Sequence, residues 1–410
     1  MRSAAALVAA IVVAAAAAGD ARAADPDVPA AEPPSELPPE PPEAEPTPEM
    51  SPDERSEAPI IELFTMGPGA VVFEKFGHAA LCVRYPSRRP RARCYNYGTT
   101  DFDSVVPLFW GFLRGRSLFW VSSSSPRAMF ELYAESDRSL WLQTLDLTPE
   151  AARAVARKLA YDALPENREY AYHHYRDNCS TRVRDILDEA TGGALSAPRE
   201  GAAGYPSYRE LSRLGFHEWT GMLLLSDVLL GRAADAQPSA YEAMFLPDIL
   251  RIEVEARLGT RAVLVEGSEE QPDAFRFDAE PRGARWAFVV VALLLAAPVA
   301  LARWRGRRER LALAATFFPM ALVGLLLWFV AVVSPLPELR WNEALLVLMP
   351  TDAALPFLAA ARRRRYALVR IALLAAVSLL LAVGLFRQPL WLLVPIPLLP
   401  LALVVWIRRP

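Results

Sequence analysis

Apolar and polar positions are arranged in two different ways along this chain. Up to about residue 265 the apolar runs are short and bounded by Gly, Pro and Asn; beyond residue 285 they are long and nearly free of charge. In the first region Ile60 to Phe64 predicts a strand. After the Gly67-Pro68-Gly69 turn, Phe76 to Val83 predicts a second, half-buried strand that carries His78. Tyr85 to Arg91, with two prolines, predicts a loop, and Arg93 to Tyr97 the returning strand of a hairpin. Thr148 as N-cap and Pro149 at the first helical position open a helix to about Ala163. A further helix starts at Asn178, its N-cap, and runs through Val183, Ile186, Leu187 and Ala190 to a stop at Gly192-Gly193. Cys179 is in phase with that apolar series, so its sulfur is expected to face the protein.

The C-terminal region holds five apolar runs: Trp286 to Ala302, Leu311 to Val333, Ala344 to Ala361, Tyr366 to Phe386 and Leu390 to Ile407. Each is long enough to span a bilayer core of about 30 Å, some only just. Arginines crowd Arg303 to Arg310, Arg362 to Arg365 and Arg408-Arg409, and thin out around Arg340 and Arg387. The positive-inside rule then places the C-terminus in the cytoplasm and residues 25 to 285 outside. At the other end, Arg2, an Ala/Val run and Ala21-Arg22-Ala23 have the parts of a secretory signal peptide cleaved before Ala24, with a retained anchor as the alternative. Residues 24–59, rich in Pro, Glu and Ala, cannot bury a core and predict a disordered tether. The expected organisation is therefore a signal peptide (1–23), the tether, an outer α+β domain (60–265) and an all-α membrane domain (286–407) of about five helices.

Charge and composition narrow the function. The net charge of -3 hides an acidic tether and arginines beside the apolar runs; Lys75 and Lys158 are the only lysines. No basic stripe suggests nucleic acid, and no zinc-like Cys/His spacing, Gly-rich phosphate loop or serine elbow is present, so neither metal nor cofactor is expected. Three cysteines, an odd number, leave at least one unpaired. Closing the hairpin around Arg88 sets Cys82 opposite Cys94, which predicts that the two are bonded or adjacent and that Cys179 is free.

Cys179 and His78 are the candidate chemistry. A thiol in the first turn of a helix feels the positive end of the dipole, which favours thiolate, and a strand-borne imidazole would accept its proton. A buried structural thiol is the competing reading. Asn96, opposite Ala80 and diagonal to His78 in that hairpin, either orients the imidazole or satisfies backbone near the turn. Tyr170, Tyr172 and Tyr175 either line an acyl-chain groove or pack the core. Arg182 meets a substrate phosphate or carboxylate, or pairs with Asp185; Asp177 caps the helix or holds Arg176. His173, His174 and His217 read as polar surface or capping groups. Among the apolar runs, Asn342, Glu343 and Asp352 are polar and so are functional candidates; Asp352, between Pro350 and Pro356, marks a broken helix or pairs with an arginine.

The order His78 before Cys179 is the reverse of ordinary papain-like enzymes. It resembles the circularly permuted papain-like superfamily, which includes lecithin:retinol acyltransferases and relatives of bacterial cell-wall peptidases. Within it the chain is similar to the Lnb family of bacterial envelope proteins. The resemblance rests on Gly67-Pro68-Gly69, Phe76-Gly77-His78, Tyr95-Asn96-Tyr97-Gly98-Thr99-Thr100-Asp101-Phe102, Asp177-Asn178-Cys179-Ser180-Thr181-Arg182, Phe245-Leu246-Pro247-Asp248 and Trp341-Asn342-Glu343. It implies a permuted papain-like periplasmic domain and an inner-membrane cysteine acyltransferase that N-acylates lipoproteins through a Cys179 thioester. Its partners would be membrane phospholipid, a diacylglyceryl lipoprotein, or both. Tyr175, Arg182 and Asn342 are the expected substrate contacts. A peptidase or amidase acting on cell-wall peptides with the same pair, and a non-catalytic envelope binding protein, are the rival readings.

Overall fold

The computed structural model describes residues 57–406 apart from 88–91, 103, 137, 199–203, 218 and 267–281. The expected signal peptide, and the tether up to residue 56, lie outside the described residues. The described chain divides into two compact units, 57–206 with 237–266 and 207–236 with 282–406.

The first unit is built on a seven-stranded sheet with the order β6-β4-β3-β2-β1-β5-β7, antiparallel at every pairing. The strands are β1 (Ile60–Met66), β2 (His78–Arg84), β3 (Ala92–Thr99), β4 (Ser117–Ser124), β5 (Leu140–Leu145), β6 (Glu169–Tyr172) and β7 (Val263–Glu266). The central strands are buried on both faces because helices cover both. On one face Phe64, Met66, Ala80, Cys82, Cys94 and Leu140 pack with Met129 of α2 (Pro126–Glu135), which follows α1 (Val105–Leu113) and β4. Strand parity turns Leu63, Leu81 and Tyr97 to the other face. There lie α3 (Pro149–Asp162) and α4 (Cys179–Ala190), and the Tyr97 hydroxyl donates to Asp162 of α3 at 2.8 Å. A last helix, α5 (Pro247–Leu258), packs beside β1 and β5.

The hairpin register is the expected one: Ala80 pairs with Asn96 and Cys82 with Cys94. Cys82 and Cys94 form a disulfide, and Cys179 is free. Thr148 caps α3 by accepting from the Ala151 amide, with Pro149 at the first helical position. The glycines that stop α4 take positive φ, and the Gly193 amide closes the last turn on the Asp188 carbonyl.

In the second unit three helices are long and apolar enough to cross a membrane, Trp286–Arg305, Glu309–Val333 and Ala360–Ala382. Among the described residues these are three of the five expected runs, and proline interrupts the other two. The Ala344 to Ala361 run is broken into 3-10 segments, Glu343–Leu346 and Pro350–Phe357, and the last run yields only the short helix Pro395–Val405, with Pro397 and Pro400 inside it. Asp352, between the prolines, is buried and ion-paired to Arg370 at 2.8 Å, and it accepts from Tyr366, so the arginine pairing and the broken helix both occur. Gly324 lies against the Leu348 carbonyl so closely that a Cβ would collide with it.

Residues 207–236 pack with this helical unit. The apolar helix Thr220–Leu229 contributes Leu224, Val228 and Leu229 to its core. Buried ion pairs Arg209–Asp235 and Arg213–Asp227 hold the segment together.

Candidate active site

Both reactive groups stand at the first residue of their elements. Asn178 caps α4 reciprocally: its side chain accepts from the Thr181 amide at 2.9 Å, and its own amide N–H donates to the Thr181 hydroxyl at 2.7 Å. The Asn178 side-chain amide donates to the carbonyls of His174 and Phe245 at 2.7 and 2.9 Å, which anchors the helix start to chain on either side of it. Cys179 follows at once, half-buried. His78 opens β2, paired with Met66. Gly77 before it has φ +76°, and a Cβ there would lie 2.5 Å from the Met66 carbonyl oxygen, so the turn that delivers His78 needs glycine.

The two ends meet. The Cys179 helix packs on the His78 strand, and the His78 side chain and the Ala79 backbone both act on the sulfur. Burial pushes the thiol up, but the charge and side chain of His78, with the Ala79 backbone and the Ser180 hydroxyl, outweigh it and hold Cys179 below the usual thiol range. As the first residues of α4, Cys179 and Ser180 have N–H groups that the helix cannot satisfy internally. This end of the helix therefore brings a thiol, an imidazole and amide donors together.

The remaining expected residues fall around this pair. Asn96 shares the His78 face of the sheet by parity, and its amide donates to the Ser124 hydroxyl at 3.5 Å. Arg182 is joined to Asp177, neither to Asp185 nor with Arg176 between them; its Nη2 donates to Asp177 at 3.0 Å and its guanidinium lies 4.2 Å over the Tyr170 ring. A substrate anion at Arg182 would have to share it with Asp177. Tyr175 is buried among the rings of His174 and Phe245 at 5.0 and 5.1 Å, and His173 Nδ1 accepts from the Tyr175 amide. Asn342 is in the other unit. Its side chain caps the Ala344 amide and donates to the carbonyls of Val228 and Leu229, so it is engaged in the fold.

Two further residues stand at the site, neither given a role of its own by the sequence. Gly98, with φ +95°, sits at an irregularity in the β3–β4 pairing; a Cβ there would be 3.6 Å from the Cys179 Cβ and 3.9 Å from the Tyr170 hydroxyl. Tyr170, on β6, was grouped only with its neighbouring tyrosines. A glycine inside the otherwise bulky Tyr95 to Thr99 strand was the available signal. Nearby in the chain, Val71 and Phe73 before His78 and Phe102, Val105 and Val106 after β3 are exposed, with the rings of Phe73 and Phe102 5.4 Å apart.

An antiparallel α/β unit that sets a helix-start thiol against a strand-start imidazole, in a chain with long apolar helices, defines a membrane protein with a thiol–imidazole site. Residues 55–213 match the Lnb N-terminal periplasmic domain, and residues 278–409 match the Lnb transmembrane domain. The chain belongs to the Lnb family. No curated protein and no solved structure matches it.

Proposed function

We propose that this protein is a thiol acyltransferase of the bacterial inner membrane, with its sheet unit in the periplasm. The observation that carries the reading is the pairing of the helix-start Cys179 with the strand-start His78, which lowers the thiol. His78 takes the thiol proton, and the sulfur attacks the carbonyl carbon of a lipid ester. The carbonyl π electrons move to oxygen, and the helix-start amides of α4 stabilise the resulting anion. As the C–O bond breaks, His78 returns the proton to the departing alcohol oxygen, and a Cys179 thioester remains. An amine then attacks the thioester, an amide bond forms, and its proton returns through His78 to the sulfur.

The resemblance stated above supplies the substrates: the acceptor is the N-terminal amine of a lipoprotein, and the donor is a phospholipid or the lipoprotein's own diacylglyceryl group. The order of base and nucleophile suits a permuted papain-like arrangement. Asn96 serves as the orienting group of the imidazole. The two proline-broken runs complete five crossings with the three continuous helices.

The test is to mix the full-length protein in detergent with a diacylglyceryl lipopeptide, quench at low pH and weigh the intact protein. An acyl adduct that hydroxylamine removes, and that Cys179→Ala lacks, is expected. Lipopeptide N-acylation at the normal rate by a folded Cys179→Ala variant refutes the thiol mechanism; release of a cell-wall peptide by the native protein favours the peptidase reading.

A further inference from the structure

One buried polar group beside the thiol has no use in the fold. The Tyr170 hydroxyl is buried without a hydrogen-bond partner, in a side chain only 8% exposed. An orphaned hydroxyl of this kind is unfavourable, and native proteins keep few of them. Its surroundings indicate what it is kept for. The hydroxyl and the Cys179 Cβ converge on the same bare α-carbon, that of Gly98, at 3.9 and 3.6 Å from where a side chain would begin. Gly98 thus leaves open the space that the hydroxyl and the carbon bearing the thiol share.

The ring itself is fixed. Arg182, held by Asp177, stacks 4.2 Å over one face, and Tyr97 approaches edge-on with ring centroids 6.5 Å apart. A cation over the ring withdraws electron density from the phenol and strengthens its O–H as a donor. Burial, reinforced by the neighbouring Cys179 sulfur, raises the phenol well above its ordinary range, so the group stays a neutral donor at every working pH.

We infer that Tyr170 is the side-chain oxyanion donor of the site, its hydroxyl meeting the carbonyl oxygen of the acyl group when Cys179 attacks. This deepens the acyl-transfer reading and rests on it. In the addition step the S–C bond forms as the C=O π pair moves to oxygen, and the Tyr170 O–H donates a hydrogen bond to that oxygen while keeping its proton. When the tetrahedral species collapses the bond weakens again. The amides at the start of α4 supply the other donors.

The experiment compares two reactions of the same thiol in the full-length protein. Alkylation by iodoacetamide displaces iodide at a saturated carbon and creates no oxyanion, whereas acylation by a p-nitrophenyl acyl ester does. Tyr170→Phe keeps the ring and its cation contact and removes only the hydroxyl. It should alkylate within about two-fold of the native rate and with the native pH profile, melt no lower than the native protein, and acylate about 10²-fold more slowly. Acylation at the native rate overturns the assignment while leaving the thiol reading intact. An equal slowing of both reactions also overturns it, since the residue would then act on the thiol or the fold. If the native protein alkylates normally and no ester acylates it, the acyl-transfer reading falls, and the role of Tyr170 falls with it.

Discussion

Gly77→Ala tests whether the turn before β2 sets the reactive geometry. The new Cβ would sit 2.5 Å from the Met66 carbonyl oxygen, and Met66 is the residue paired with His78. A carbon rests comfortably against a carbonyl oxygen at about 3.3 Å, so the strand start must yield by about 0.8 Å. The φ of +76° adds about 1–2 kcal/mol of strain for any residue with a Cβ. Against a domain stability of about 5–15 kcal/mol the fold survives. The displacement falls on the imidazole, however, and misplacing a reacting group by about 1 Å costs up to about 10²-fold in rate. The variant should therefore show a native-like circular dichroism spectrum and a lower Tm. Acyl transfer should drop by about 10²-fold, and Cys179 alkylation near neutral pH should slow as the pairing with His78 is lost. Native acylation and alkylation rates in Gly77→Ala would refute the argument that this glycine positions His78.

The thiolate is the deprotonated form, so a lowered Cys179 pKa keeps iodoacetamide reactivity at more acidic pH than a free thiol of pKa about 8.5, and reactivity disappears as pH falls through the lowered value. His78→Ala leaves burial opposed only by Ala79 and Ser180 and should move the alkylation profile to higher pH; an unmoved profile contradicts the pairing. Replacing both Cys82 and Cys94 by Ala should destabilise the sheet unit by about 3 kcal/mol for a loop of this length, measured by denaturant unfolding, with the Cys179 alkylation profile unchanged. In the helical unit, Arg370→Met strands the buried Asp352 carboxylate and should cost about 3–5 kcal/mol, whereas Asp352→Leu with Arg370→Met should cost much less; thermal unfolding in detergent distinguishes the two.

The start of α4 was legible in the sequence because its determinants are local: an asparagine cap, an apolar period and a glycine stop all lie within sixteen residues of one another, roughly four helical turns. The β2–β3 register was legible for a similar reason, since parity fixes which residues can face one another across a hairpin. Other parts were hidden. β4 ends in a run of serines, Ser122 to Ser124, that has no apolar alternation to read. The Thr220–Leu229 helix is too short to look like a membrane element, and its place in the helical unit depends on Leu224 and Val228 meeting residues far away in the chain. The prolines at 350 and 356 were visible, but a hydropathy average counts them only weakly. Tyr170 was hidden more deeply, since an orphaned hydroxyl has no signature in residue type, while Gly98 showed only as a glycine among bulky strand residues.

The disulfide has a consequence in the order of synthesis. Cys82 and Cys94 emerge first, separated by 12 positions, and Cys179 follows only after most of the sheet unit has been made. A chain exported into an oxidising compartment must keep one of its three thiols reduced without any label marking which. Joining Cys94 to Cys179 would close a loop of about 85 residues, which costs about 1.7 kcal/mol more than the short one, a factor of about 20 in encounter. Sequence distance thus acts as a sorting rule: the two early thiols consume each other before the third is available. The bond that staples the hairpin also removes the intrachain competitors that could have captured Cys179.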